Sequence, residues 1–316
     1  MIAVEGFACA KDPLAQDACE DRLVALPDRC IAVVDGATDL SGRRFAGRTG
    51  GWLAAEAVAR ALAALEGLPE AVAVATAAHD AIAGVYRRLG AEAPADPRDR
   101  FRAAFAVLFV DGDRARLVVS GDCRARVDGA EVLARSNPAE AVAIAARVHL
   151  WQRLAAQGHP PAVIAPAARA AIAEGLDAPP PPLVSAADLA AVHETLNADE
   201  TLTAALGGPE VLARLLSAGL RGVRAAPEAF GLGGVDGVVP PRDVRALDLD
   251  ARATVELASD GYPLPGAAPT VAAWEAAFAR VEAEDPHRIG RFAGTKGSAD
   301  GRFADDRSVV IRKGRG

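Results

Sequence analysis

Residues 101–134 constrain the fold more than any other stretch of this chain. Four short apolar runs, Phe101–Val110, Ala115–Ser120, Cys123–Val127 and Glu131–Ala134, are separated by Asp111-Gly112-Asp113, Gly121-Asp122 and Asp128-Gly129. Tight turns between such runs predict an antiparallel meander. Helical spacing of apolar residues precedes it, at 50–65 and 70–89, and follows it, at 139–156, 165–174, 186–196 and 210–220. Ala178–Pro182, APPPP, is a stiff spacer between helices. Near the end come a strand at 254–258, a helix at 270–283 containing Trp274 and a strand at 308–311. Strands and helices in that order predict an α+β fold with helices packed on antiparallel sheets. Residues 138–240 are expected to form a helical insertion or lid within a single domain spanning 1–316.

The 316 residues carry a net charge of −7, which argues against a nucleic-acid partner because such a binder needs a basic face. The start, MIAVEGFACAKDP, lacks the basic-then-apolar order of a signal peptide, and no apolar stretch reaches the length of a membrane helix. The expectation is a cytoplasmic protein with no membrane partner. The four cysteines form no C-x-x-C pair and read as free thiols.

Asp-Gly occurs six times. At Asp111 and Asp128 it lies between paired short strands and reads as a hairpin turn, and Asp236 and Asp300 read as loop residues. Asp35 and Asp260 differ, because each ends an unbroken apolar run, CIAVVDG at 30–36 and VELASDG at 255–261. A carboxylate there sits at the edge of the core, where an unpaired charge is costly. Asp305-Asp306 stands just before the last strand. If that strand runs antiparallel to the other two, Asp35, Asp260 and Asp305 share one rim. Acids gathered this way repel one another unless a cation neutralises them, and oxygen ligands suit Mg²⁺ or Mn²⁺. The five histidines show no ligand-like spacing and read as surface or packing residues.

With these motifs in order, the chain resembles the PPM-type (type 2C) metal-dependent serine/threonine protein phosphatases, as a divergent bacterial member. Glu20-Asp21 is similar to the family's early Glu-Asp pair, and Val33-Val34-Asp35-Gly36 to its first metal motif. Gly121-Asp122-Cys123-Arg124 resembles its Gly-Asp-Ser-Arg turn. Ala258-Ser259-Asp260-Gly261 resembles its Ser-Asp-Gly, and Asp305-Asp306-Arg307-Ser308 its terminal acidic motif. The resemblance implies a four-layer α-β-β-α sandwich, two antiparallel sheets flanked by helices. It implies two Mn²⁺ or Mg²⁺ ions bridged by Asp35. Asp260 and Asp305 would complete one ion, the Gly36 carbonyl would serve the other, and Glu20 would act through a bound water. Asp122 is a candidate for an outer or third-metal position. Asp35, Glu20 and Asp260 would thus carry the catalysis, in which a hydroxide shared by two ions attacks phosphorus and no side-chain nucleophile is needed.

The chain departs from the pattern at several points. The family's phosphate-gripping arginine, four residues before the Glu, is Gln16 here, and an amide cannot supply a charged fork. Arg22, Arg43, Arg44 and Arg48 are the candidates to grip phosphate instead, with solvated loop charge as their plainer reading. Ala37 replaces the eukaryotic histidine, and Thr38-Asp39 the second glycine pair, leaving Asp39 as a second acid or a helix cap. Cys123 replaces a serine. Gly231–Gly237, GLGGVDG, lacks the strand and helix of a dinucleotide loop and reads as a connection. Gly294–Ser298, GTKGS, lacks Walker spacing and reads as a mobile approach to Asp305. The expected substrate is a phosphoprotein. A small phosphoester, or a catalytically weak pseudophosphatase that binds a partner, are the rival readings.

Overall fold

The structure, a computed structural model, describes residues 3–37, 43–135, 137–225, 233–241 and 243–314. Asp39 therefore lies outside the described residues, as do Gly231 and Leu232 of the glycine-rich connection.

Among the described residues ten strands form two five-stranded sheets. They are β1 (Ala3–Cys9), β2 (Arg22–Leu26), β3 (Cys30–Ala37), β4 (Arg102–Asp111) and β5 (Arg114–Ser120). They continue with β6 (Arg124–Val127), β7 (Ala130–Val132), β8 (Arg245–Asp250), β9 (Val255–Ala258) and β10 (Arg307–Lys313). One sheet has the order β1-β10-β9-β6-β7 and the other β2-β3-β4-β5-β8. Every neighbouring pair is antiparallel. The helices among the described residues are α1 (Gly50–Ala64), α2 (Ala71–Arg88), α3 (Pro138–Ala156), α4 (Pro161–Glu174), α5 (Ala186–Asn197), α6 (Glu200–Leu206), α7 (Pro209–Ala225) and α8 (Val271–Glu284).

The central strands are apolar throughout because both faces are covered. Successive side chains of a strand point to opposite faces. Ile31, Val33, Ala106 and Leu108 meet Ala125, Leu257 and Val310 of the other sheet. Ala32, Val34, Phe105 and Val107, one residue out of phase, pack against Val58, Leu62, Val74 and Ile82 of α1 and α2. On the far side α8 lies against the β9 sheet, where the Trp274 indole donates to Glu256 at 2.8 Å. Glu256 also pairs with Arg126 of β6, and both are buried. The expected four-layer sandwich is therefore present within one compact unit, made of 1–135, 233–280 and 305–316.

The expected meander is not. β4–β5 and β6–β7 are both hairpins, with Asp111-Gly112 and Asp128-Gly129 as their turns, but they lie in different sheets. Gly121-Asp122 carries the chain from one sheet to the other. The free edge of β5 is filled by β8 in the register Leu117↔Leu247, so β6 cannot pair there. The sequence of β8, RALDLD, alternates half-buried with exposed positions, with Leu247 and Leu249 on the covered face and Asp248 and Asp250 on the exposed one, as an edge strand does. That pattern was not recognised as a strand.

A second compact unit comprises 136–232 and 281–304, so the helical region draws on a later segment besides the expected 138–240 span. Its core is built by Ala146, Leu150 and Leu154 of α3, Ile164 and Ala168 of α4, Val192 and Leu196 of α5, and Leu212 and Leu216 of α7. Asn137 caps α3 and a Ser185–Asp188 capping box starts α5. Ala178–Pro182 lies between α4 and α5 outside any regular element. α6 was not anticipated. The GTKGS loop is fastened rather than loose. The buried Arg147 guanidinium donates to the carbonyls of His287, Arg288 and Gly294 at 2.8–3.0 Å, and Ser298 N donates to Pro286 O at 2.7 Å. His287 stacks on Trp151. No helix among the described residues is long and apolar enough to cross a membrane.

Candidate metal centre

Antiparallel pairing makes the end of one strand the neighbour of the start of the next, and this collects the acids. Arg22 of β2 pairs with Val34 of β3, so Asp21, just before β2, lies beside Asp35 near the end of β3. Val309 of β10 pairs with Ala258 of β9, so Asp260, just past β9, adjoins Asp305 and Asp306, just before β10. Arg124 of β6 pairs with the same Ala258, which brings in Asp122. All of these carboxylates belong to the sandwich unit.

The charges feel one another. Burial first, then Asp260, Asp21, Asp122 and Asp305, hold the Asp35 carboxyl well above the usual carboxylate range. Burial likewise pushes Asp21 up to about 7, reinforced by Asp306 and Asp305 and opposed by hydrogen bonds from Ser259 and Ser308. Asp21 is 4% exposed and its Oδ2 has no hydrogen-bond partner. The rim is graded: Asp21 and Asp306 are buried, Asp35 and Asp305 partly so, and Asp122 and Asp260 face solvent. No histidine is among the strongest neighbours of Asp35 or Asp21.

Glu20, next to Asp21 in the chain, is 3% exposed. Its Oε1 accepts from the Thr49 hydroxyl at 2.5 Å, and its Oε2 lies 3.2 Å from Lys11 Nζ. Thr49 also caps α1 by accepting from Trp52 N. Backbone closes tightly around this carboxylate. A Cβ on Gly36 would come within 2.3 Å of the Gly51 carbonyl, and one on Gly51 within 2.8 Å of both Glu20 Oε1 and the Gly36 carbonyl. Only glycine fits at either position, and the pair leaves the Gly36 carbonyl beside the Glu20 carboxylate.

Asp306 fastens the chain around the site. Its Oδ1 accepts from Lys11 N at 2.6 Å and its Oδ2 from Glu20 N at 2.9 Å. The next residue, Arg307, grips Glu275 of α8 with two bonds of 3.0 Å, and the Tyr262 hydroxyl donates to the same Glu275. Tyr262 and Arg307 stand two residues beyond Asp260 and Asp305, so this clamp fixes both acidic loops from behind.

The donor set fits a hard divalent ion. It consists of carboxylates and one backbone carbonyl, with an orphaned buried oxygen on Asp21 and a glycine cradle on the Glu20 side. Among the described residues no three His, Cys, Asp or Glu side chains are already drawn to ligating distance. Oxygens must come within about 2.0–2.6 Å of such an ion, so binding requires the carboxylates to close in. The two thiols whose acidity the rim acids influence, Cys19 and Cys123, offer no alternative nucleophile. Burial, then Asp21 and Asp306, push Cys19 up to about 12, and burial, then Asp35 and Asp122, raise Cys123. Neither forms the thiolate a nucleophile needs at neutral pH.

The arginine candidates fare differently. Arg22 is committed: it bonds Glu56 at 2.9 Å and the carbonyls of Cys19 and Asp21, and stacks on Trp52. Arg48 stacks on Trp52 and donates to the Asp17 carbonyl. Arg43 and Arg44 are exposed, Arg43 against the Phe45 ring and Arg44 on the Gly47 carbonyl. Gln16 is a loop clasp, accepting from Ala10 N at 3.0 Å and donating to Pro13 O at 3.3 Å. Asp236 of the glycine-rich connection pairs with Arg100 at 3.2 Å, and Val235 bridges to Ala103 of β4.

Asp21, Asp306 and Lys11 were missed as site residues. The acidic pairs 20–21 and 305–306 were visible, but nothing in a sequence says which member of a pair points to the rim.

No protein-family model and no curated protein sequence matches the chain. Solved structures resemble it over its length. The Mycobacterium tuberculosis serine/threonine phosphatase PstP/Ppp is 16% identical, over 100% of this chain and 99% of that one, with a TM-score of 0.47. The PstP catalytic domain in complex with two manganese ions is 16% identical, over 99% of each chain, with a TM-score of 0.41. A Staphylococcus aureus serine/threonine phosphatase is 11% identical, over 100% of this chain and 96% of that one, with a TM-score of 0.46. At such identities and TM-scores the function has to be read from the site itself.

Proposed function

We propose that the acidic rim is a divalent-metal centre and that the chain is a metal-dependent phosphomonoester hydrolase acting on phosphorylated serine and threonine of proteins. The observation that carries this reading is the convergence of Asp21, Asp35, Asp122, Asp260 and Asp305 from both sheets. Burial first and the neighbouring acids second raise Asp35 and Asp21, and a divalent cation would offset both. In this reading Asp35, Asp260 and Asp305 hold one Mn²⁺ or Mg²⁺, while Glu20 and the Gly36 carbonyl border a second cation position. When bound, such ions acidify a water and neutralise phosphoryl oxygens.

The chain's own residues supply the rest. Asp35 and Asp21 release protons as they take up cations, so activity rises with pH. Exposed Asp122 and Asp260 border the open side, where a phosphoester on a protein surface can approach. Arg43, Arg44 and Arg48, on the loop after β3, give a basic border for the phosphate.

Hydrolysis of p-nitrophenyl phosphate with and without Mn²⁺, in wild type and Asp35→Ala, tests the reading. Mn²⁺-dependent turnover lost about 10²–10³-fold in the variant is expected, as for removal of a group that holds transition-state charge. Equal rates in both proteins, or none in either, refute it. One observation favours a small phosphoester as substrate instead: position 16 carries an amide engaged by its own loop, not a charged fork. A panel of phosphopeptides and phosphorylated metabolites separates the two by kcat/KM.

A further inference from the structure

Lys11 brings a positive charge onto the acidic rim, and nothing in the phosphatase reading uses it. Its main chain is fixed by Asp306 Oδ1 at 2.6 Å. Its ammonium lies 3.2 Å from Glu20 Oε2 and 3.7 Å from Asp306 Oδ2. Glu20 is almost fully buried, and its other oxygen is taken by Thr49. The ammonium therefore meets the carboxylate at the Glu20 end, the end bordered by the Gly36 and Gly51 cradle. The charges that act most on Asp35 are Asp260, Asp21, Asp122 and Asp305, and neither Glu20 nor Lys11 is among them.

A divalent ion at the Glu20 end would face this ammonium across a few ångströms, and like charges that close oppose each other strongly outside bulk water. We propose that Lys11 is a tethered cation standing in for one of the two divalent ions. The chain holds a single Mn²⁺ or Mg²⁺ on the Asp35, Asp260 and Asp305 side, and the Lys11 ammonium on the Glu20 side. This inference rests on the metal-centre reading above. It also gives the site a fixed positive charge despite the neutral Gln16.

The test is the number of Mn²⁺ ions bound per chain, read by isothermal titration calorimetry and by elemental analysis after desalting. Wild type is expected to bind one ion and Lys11→Met two, while Lys11→Arg keeps the charge and stays at one. Two ions in wild type, or a count that stays at one in Lys11→Met, overturns the inference. Lys11→Gln is the second charge-removing variant should Lys11→Met fail to fold, and the same two counts decide. No Mn²⁺ in either wild type or variants refutes the metal centre itself, a different result from two ions in wild type.

Discussion

Asp35 and Asp21 show what a single residue costs when function fixes its place. Each carboxylate lies among like charges at the edge of a core. Both are held above the ordinary range by burial first and neighbouring acids second. The unfolded chain loses such a proton near pH 4, whereas native Asp21 keeps it to about 7. Between those values the native state binds more protons, so stability falls as pH rises through the window. Chelator-treated protein should therefore melt several degrees lower at pH 8 than at pH 5, and Mn²⁺ should raise the midpoint more at pH 8. A midpoint that climbs with pH in the metal-free protein contradicts this. The acids at 35, 260 and 305 were legible because each adjoins a buried strand. Asp21 was not singled out, because adjacent acids are equivalent until the β2–β3 register sets Asp21 beside Asp35. Lys11 was invisible for a related reason: its reach to Glu20 depends on the path of the 10–16 loop.

Among the elements, the close approach of β3 to the start of α1 is the tightest joint in the site. Gly36→Ala puts a methyl 2.3 Å from the Gly51 carbonyl, where backbone cannot yield cheaply. A loss of about 3 kcal/mol is expected in urea unfolding, with Mn²⁺ affinity falling as well. A variant as stable as wild type would mean the two backbones can part. The α8 clamp is a separate device. Glu275→Ala leaves Arg307, 5% exposed, without its bidentate partner and Tyr262 without its acceptor. About 2 kcal/mol of stability should go with it, and Mn²⁺ should bind more weakly because the loops of Asp260 and Asp305 lose their support. Unchanged Mn²⁺ binding in a destabilised protein would reduce the clamp to a purely structural role. Most elements could be read from the sequence, since Val34, Phe105 and Val107 are apolar for the same reason that their strands are central. β8 could not, because an edge strand with one face in water carries half the apolar signal. Nor could the sheet change at Gly121-Asp122, since a turn's sequence does not say which partner the next strand will find.

The whole molecule contains two kinds of core. The sandwich unit buries β-branched and aromatic side chains between sheets and helices, and the helical unit buries alanine and leucine from α3, α4, α5 and α7. Separate cores with their own contacts need not unfold together. Scanning calorimetry should resolve two transitions, of which Mn²⁺ raises the one belonging to the sandwich unit, where Asp21, Asp35, Asp122, Asp260 and Asp305 lie. A single transition, or an equal shift of both, contradicts that division. The helical unit was legible as helices, but its use of 281–304 was not. That return depends on Arg147 gripping the carbonyls of His287, Arg288 and Gly294, a contact no local pattern encodes. The central claim is that acids from two different sheets form one divalent-metal centre. A calorimetric Mn²⁺ titration of wild type, Asp35→Asn and Asp260→Asn tests it most directly, since the two residues come from different sheets. Saturable binding in wild type that either single substitution weakens at least tenfold is the predicted result, and binding unchanged in both variants would contradict it.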